Sequence, residues 1–571
     1  MFARTNDSRS NSRRAKSVFF KENHAFGQHK LKPSFDEVCF TKHDESLPVD
    51  EYTIESLNEN ETILKYIREI LMEEEDDLEN QPSTLHGSLA LQATEKSLYD
   101  ALNNNHQENY TDCGFLDQTK KTRNRDDTDL TEEHHRSNKQ LANTNNCSEY
   151  EPLEMYDDFL LRSDSNKSIN KSRGKKQNML VINKDFVDMR TLLLQCSQAL
   201  FDLDNKTVYN LMMQIRKYSS PHGDDTERVA HYFANAIEAR LSGTGTTVLT
   251  TYKHKRVTVS DILNAHKMLI AASPFMTMSN VFAKQTLMKL AKGATTLHVV
   301  DFGILFGFQW PCLIMALSER PGGPPKLRIT GIDFPEPGFR PASRVEATGR
   351  RLARYCERFG VPFEYNAIAQ KWDTIKPEDL KIEKDEVLVV NCIYRLHSMM
   401  DEADTETDKV NPRDAVLKLI KEINPHMFIH GIVNGTHNTP FFVKRFKEAF
   451  FFYSTLFDMF EATVAREEDE DQQMRVGYEE NVFGLSIMNI VACEANDRIE
   501  RPETYRQWKF RSRRSGFRQL PIDGEIFKCV AKVKKDYYYH KDYSVDVDGE
   551  WIVLGWKGRV LHALSCWKPV N

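Results

Sequence analysis

The residues with the clearest chemical potential lie in one short stretch, Asp301-Phe-Gly303-Ile-Leu305-Phe-Gly307. It follows the apolar run Leu297, His298, Val299, Val300 and Asp301 and opens a helical pattern. A glycine-bearing turn between a strand and a helix is where dinucleotide and S-adenosylmethionine folds hold their ligand, and an acidic residue ending the next strand, here Asp333, holds ribose hydroxyls. Three features weigh against a working ligand site. The glycines are spaced G-x-x-x-G, and the middle position carries Leu305, whose side chain takes the space through which backbone approaches a ligand. Phe306 and Phe308 flank it with more bulk. After the fourth apolar run, Asn391-Cys392-Ile393-Tyr394 only echoes the N-P-P-Y signature of amino-methyltransferases, with both prolines absent. His298 sits inside a strand pattern and reads as a packed histidine rather than a general base. Asp301, Gly303, Gly307 and Asp333 therefore read as a vestigial ligand loop, with no catalytic residue and no cofactor. An S-adenosylmethionine-dependent methyltransferase, or another small-molecule-binding Rossmann-type protein, stays open as the alternative.

The surrounding pattern says what must position this loop. From Val187 to about residue 292 the apolar spacing is helical throughout. Met189, Leu192, Leu193, Cys196, Leu200 and Leu203 form one stripe, Val208, Leu211, Met212 and Ile215 a second, and Phe233, Ala236, Ile237 and Leu241 a third. Beyond residue 293, short apolar runs alternate with helical segments. Strands are expected at 297–301, 327–333, 363–367, 387–392 and 427–433, with helices up to 317 and over 342–359, 413–423 and 440–460. Such alternation implies a parallel sheet covered on both faces. Ile487 to Cys493 is expected as a further strand, and 551–554 with 560–565 as a hairpin turning at Gly555 to Gly558. The fold class is α/β, with a parallel-dominated sheet preceded by an all-helical stretch.

Residues 1–182 differ in composition. They are rich in Asn, Asp, Glu, Lys, Ser and Thr, and 103–144 hold almost no large apolar residue, so burial cannot offset chain entropy and a disordered regulatory arm is expected. Two islands interrupt it. Glu61 to Asp77 places Ile63, Tyr66, Ile67, Ile70 and Leu71 at helical spacing before an acidic block, and Leu89 to Leu102 repeats the pattern more weakly. Both read as acidic amphipathic helices that fold on docking into a partner's groove. The net charge is -7, which argues against non-specific nucleic-acid binding by the whole chain. The ten cysteines include no C-x-x-C pair, so neither a zinc module nor a disulfide framework is expected. The basic, polar N-terminus lacks a signal-peptide core, and no run approaches the roughly 18 apolar residues of a membrane span. A soluble intracellular protein without metal or membrane contact is expected.

These pieces together resemble the GRAS family of plant proteins. LHVVDFGILFGFQWP (297–311) resembles its VHIID motif, residues 187–241 its first leucine-rich region and 349–369 its second. Pro440 and Phe452-Tyr453 resemble the first elements of the PFYRE motif. RSGFRQLPI (514–522) and WIVLGWKGRVLHALSCW (551–567), with Trp551, Trp556, Ser565 and Trp567, resemble the SAW motif. The two islands and PETYRQW (502–508) are similar to the subfamily named after a lily scarecrow-like protein. The Arg-Glu that names PFYRE is replaced by Leu485-Ser486, which removes an ionic contact and is expected to loosen packing or alter partner choice.

The resemblance runs from Asp185 to the end, within an expected domain of 183–571, and implies a modified Rossmann-like, class I methyltransferase-like core with a parallel-dominated sheet plus an α-helical cap. It implies nuclear transcription regulation through other transcription factors, through dimers with a second GRAS protein, and through direct DNA contact. The stripe Leu192, Leu193, Cys196 and Leu200 is the expected dimer surface. For DNA, Arg344, Arg351, Arg354 and Arg358 share one face of a helix, and a second cluster including Arg511, Arg513 and Arg514 is expected to join them in one phosphate-contacting groove. The clusters at 120–125 (KKTRNR) and 171–176 (KSRGKK) read as nuclear-import signals.

Overall fold

A computed structural model describes residues 51–71, 188–254, 258–401, 410–464, 469–537 and 539–570. The second island, both import clusters and the tract 103–144 lie outside the described residues.

The first element is unexpected. Helix α1 (Glu51–Tyr66), extended by a π-helical turn over Ile67–Leu71, is folded onto the rest of the chain, with Ile63, Leu64, Tyr66 and Ile67 all buried. The amphipathic helix expected from Glu61 is present, but it is docked on the chain itself and not left for a partner's groove. Its apolar face has a groove to bury in within the same chain, so it does not wait for a partner.

The cap is helical as its spacing predicts: α2 (Met189–Phe201), α3 (Asn205–Tyr218), α4 (Asp225–Ser242), α5 (Gly245–His254), α6 (Val259–Ala272) and α7 (Phe275–Ala291). Asp188, Asp204 and Asp224 each accept backbone N–H groups at the starts of α2, α3 and α4, satisfying donors that a helix start leaves orphaned. The core follows as β1 (Thr296–Phe302), α8 (Trp310–Ser318), β2 (Lys326–Asp333), α9 (Ser343–Arg358), β3 (Phe363–Ala369), β4 (Val387–Ile393), α10 (Pro412–Glu422), β5 (Met427–Val433) and α11 (Phe442–Thr463). Then come α12 (Asp469–Tyr478), α13 (Leu485–Ala492), α14 (Tyr505–Arg514), β6 (Phe517–Gln519), α15 (Gly524–Asp536), β7 (Tyr543–Asp548), β8 (Trp551–Trp556) and β9 (Arg559–Pro569).

One sheet runs in the order β3-β2-β1-β4-β5-β9-β8-β7, with β6 pairing β9. β1 to β5 are mutually parallel; β9, β8 and β7 close the far side antiparallel. The expected hairpin is present. It turns at Lys557 (φ 47°) and Gly558 (φ 87°), where two left-handed residues match the twist of the flanking strands.

Period-2 alternation divides the interior into two layers. Leu297, Val299, Leu327, Ile329 and Val389 face the cap, α8 and α9, whereas Val300, Phe302, Ile332 and Val390 face Trp372, α10 and Trp508 of α14. The segment 487–493, expected as a strand, lies mostly in α13. Its buried Ile487, Met488, Ile490 and Val491 fit a helical face equally well, and a short apolar run does not separate the two by itself. It packs on α4 and completes the cap.

Candidate functional site

The strand order reverses at β1, which has β2 on one side and β4 on the other, so the glycine loop sits at the switch point where open α/β sheets bind ligands. The chain's own side chains engage the acidic and glycine residues that would face a ligand there. Asp301 is buried at the end of β1; it accepts from Trp310 Nε1 at 3.0 Å and from Asn391 Nδ2 at 2.8 Å. Burial pushes its carboxyl from 3.8 up to about 7, against the pull of those two donors. Gly303 (φ +90°) is crossed by Arg395, whose Cγ and Nε lie 2.6 Å from where a Cβ would stand. Gly307 (φ +75°) turns beneath α9, with Thr348 Cγ2 3.0 Å from its Cβ position. Asp333, the expected ribose ligand, instead accepts from Arg344 at 3.2 Å and from the Phe334 backbone N–H at 2.9 Å.

At Leu305 the loop keeps the turn that glycine-bearing loops make. The leucine's φ of 49° lies in the left-handed region that a glycine would adopt freely, so the backbone turn is retained and a side chain added, at a cost of roughly 1–2 kcal/mol. The turn is braced from α9: Thr348 Oγ1 donates to the Leu305 carbonyl at 2.6 Å, and Arg351 donates to Thr348 Oγ1 at 2.9 Å. Phe306 stacks on Phe308, and Phe308 in turn meets Tyr66 of α1 edge-on at 6.4 Å and lies 5.4 Å from His266. The loop therefore faces protein. Asn391 was visible in the sequence as part of the N-C-I-Y echo. Trp310 and Arg395 had no signal of their own, because their roles depend on how the Gly303 turn is filled.

His298 is the packed histidine its strand position suggests. Its Nδ1 is 2.6 Å from Glu386, its Nε2 is 2.8 Å from Thr330, and burial lowers its pKa. Arg328 joins the same buried carboxylate at 2.6 Å. Among the described residues, no group of three or more His, Cys, Asp and Glu is placed to hold a metal ion. No described helix is long and apolar enough to cross a membrane.

The arginines do not form one groove. Helix α9 packs on the cap-side layer through Val345, Leu352, Tyr355 and Cys356, whereas α14 packs on the opposite layer through Trp508, so the two clusters lie on opposite faces of the sheet. Most are also engaged. Arg351 is buried against Thr348. Arg344 pairs with Asp333 and with Glu336 at 3.3 Å, and Arg358 pairs with Glu69 of α1. Arg511 bridges Asp401, Asp414 at 2.7 Å and Glu503 at 3.0 Å, and Arg514 reaches Asp414 at 3.3 Å. Arg354 and Arg513 are exposed. The expectation of a joined phosphate groove fails because helical spacing fixes which residues share a helix face but not which side of the sheet the helix covers.

Apart from the exposed Pro440, the aromatic motif residues are interior. Trp551, Trp556 and Trp567 are fully buried. Trp556 Nε1 donates to Asp458 at 2.7 Å and Trp567 Nε1 to Ser565 Oγ at 2.7 Å. Phe452 and Tyr453 are buried around His437, and the Pro440 carbonyl accepts from the buried Arg445 at 3.0 Å. Leu485 and Ser486 start α13, where Ser486 Oγ lies 3.5 Å from Glu500. Both side chains are half-buried. Neighbouring Ile487 and Met488 are buried, and ion pairs run close by from Arg475 to Glu479 (3.0 Å), Arg445 to Glu494 and His397 to Glu500 (3.3 Å). In the stripe expected to dimerise, Leu193 and Cys196 are buried against the chain itself and Leu192 and Leu200 half-buried. What the α2–α3 corner exposes is Phe201, Leu203, Tyr209 and Met213.

A family model for the GRAS domain matches residues 189–568. Scarecrow-like protein 30 of Arabidopsis thaliana is 42% identical over 535 residues, spanning 89% of both chains. Scarecrow-like protein 14 of the same plant is 50% identical over 405 residues, covering 70% of this chain and 52% of that protein, so the chain spans about half of that relative's length. Among solved structures, the crystal structure of SCL7 from Oryza sativa is similar with a TM-score of 0.56 at 29% identity, over 67% of this chain and all of the other.

Proposed function

Because the chain belongs to the GRAS domain family, a family of plant transcription regulators, we propose that it regulates transcription in the nucleus by contacting other proteins rather than by catalysis. The observation that carries this reading is the filled switch point. Arg395 over Gly303, Arg344 on Asp333 and the Trp310–Asn391 pair on Asp301 take the positions that a cofactor needs in this fold. A Rossmann-type scaffold closed in this way offers its surfaces, not its crevice. With the arginine clusters on opposite faces and largely tied to carboxylates, action on genes runs through partners that bind DNA themselves. Those partners are other transcription factors and a second GRAS protein, and the apolar α2–α3 corner is the surface open to such a copy.

The test is a reporter assay with the full chain fused to a heterologous DNA-binding domain, alongside localisation of the tagged chain. Nuclear accumulation with a reporter change of several-fold supports the reading. A chain that stays outside the nucleus, or leaves the reporter at the level of the DNA-binding domain alone, refutes it.

A further inference from the structure

Helix α1 sits in a groove made by α6, α7, α8, α9 and α15, all of which belong to the stretch 189–568 matched as the family domain. The helix itself lies outside that stretch. The domain therefore carries an acceptor for a helix, and the occupant comes from another part of the chain. The contacts are specific. Glu59 pairs with Lys284 Nζ at 2.7 Å, and both side chains are buried. Asn60 Oδ1 accepts from Thr277 Oγ1 at 2.9 Å, and the Glu59 carbonyl accepts from Cys312 Sγ at 3.5 Å. Tyr66 meets Tyr355 edge-on at 5.3 Å and Phe308 at 6.4 Å. Among the side chains described at 59–69, Glu61, Lys65 and Arg68 are exposed on one stripe.

A lysine on the floor of this groove suits two states. Paired with Glu59 it fixes the register of the docked helix; with the helix gone it is open to water. A buried ion pair adds little net stability because desolvation offsets the attraction, but removing or reversing one partner is costly. The apolar face hidden by docking, Ile63 and Ile67 with Tyr66, is the face an amphipathic acidic helix would present to another protein, and the sequence that follows it is Glu73-Glu74-Glu75-Asp76-Asp77.

We propose that α1 is an intramolecular helical ligand that masks its own partner-binding face: docked in the groove it is silent, and released it engages the transcription machinery. The masking rests on the transcriptional reading above; the docking does not.

The experiment uses the full chain in two readouts, hydrogen exchange of the 60–69 amides and the reporter fusion. Glu59→Lys sets like charges against Lys284 while leaving both the matched domain and the apolar face intact. Protection of 60–69 should fall at least tenfold and the reporter rise at least threefold. Adding Lys284→Glu re-forms the pair with reversed polarity and should restore both. Ile63→Asp with Ile67→Asp also releases the helix but destroys the face, so protection falls and the reporter does not rise. Unchanged protection in Glu59→Lys overturns the proposal. So does lost protection with a flat or lower reporter, which would make α1 packing alone. An equal rise in Ile63→Asp with Ile67→Asp overturns it too, because some other segment would then be the one unmasked. A reporter silent in every form, with exchange as expected, refutes the transcriptional reading and the masking with it, and leaves only the docking.

Discussion

Asp301→Asn tests whether the aspartate of the glycine loop is a structural carboxylate held against its ionisation. In the fold, burial raises its carboxyl from 3.8 to about 7, so between these values the folded chain holds a proton that the unfolded chain releases. Its contribution to stability is therefore fully present below pH 3.8 and is lost as pH rises to about 7, after which it is flat. At ~1.4 kcal/mol per pH unit over that interval, the loss is about 4 kcal/mol. Asparagine does not titrate. It keeps one acceptor for the two donors, Trp310 Nε1 and Asn391 Nδ2, and turns an amide N–H toward the other, at a cost of ~1–3 kcal/mol at every pH. Urea unfolding of the full chain and the variant between pH 4.5 and 8 isolates this group, because all other titrations cancel in the difference. Wild-type stability minus variant stability should fall by about 3 kcal/mol across the range and flatten above pH 7. A difference that is constant, or that grows with pH, would show that the two donors outweigh burial and that Asp301 is ionised throughout, and the reasoning would be wrong.

Other consequences follow from the same geometry. Arg511→Gln leaves Asp401 and Glu503 to Arg413 alone and Asp414 to the exposed Arg514, and should cost about 1–3 kcal/mol in thermal or urea unfolding; Arg511→Lys should recover less than half, since an ammonium lacks the fork that serves three carboxylates. Calorimetry of the full chain with S-adenosylmethionine should show nothing tighter than about 1 mM, near −4 kcal/mol, and micromolar binding abolished by Asp333→Ala would reopen the enzyme reading. If the chain self-associates at tens of micromolar in light scattering, Tyr209→Asp with Met213→Asp should return it to monomer. Leu193→Ala should instead lower stability by ~2–5 kcal/mol without that effect, because Leu193 is buried in its own chain.

The parts of this fold that were legible in the sequence are those set by local periodicity. The five parallel strands fall within two residues of their expected positions at each end, and 427–433 matches throughout, because strands buried on both faces leave short continuous apolar runs between helical ones. Leu305 could be assigned to the loop from the sequence, since its position is fixed by the glycines on either side, whereas its φ of 49° could not. The rest depended on tertiary placement. Ile487 to Val491 offered an apolar run that suits either period, and only packing on α4 decides it. The spacing of Ile63, Tyr66 and Ile67 revealed an amphipathic helix but not the groove within the same chain that receives it. The arginines of α9 and α14 were readable as two sets, but nothing in their spacing says that the sheet lies between them. Arg395 reaches the switch point through a turn that no local pattern encodes.

The residues by which the chain is recognised and the residues by which it acts are, on this geometry, different sets. Asp301, Phe452, Tyr453, Trp551, Trp556 and Trp567 are all buried, and their partners are other interior groups of the same chain. A match built on such positions constrains the sheet order, the cap and the closed switch point. It is indifferent to what touches the surface. On the proposed function, selectivity among partners comes from exposed positions, such as the α2–α3 corner with Phe201, Leu203, Tyr209 and Met213, and from segments outside the matched domain. Helix α1 is the described segment that belongs to both descriptions. Its apolar face is interior while docked, and under the proposal above it becomes surface when the helix is released. Regulation placed there alters which surface is shown without disturbing the motifs that build the fold.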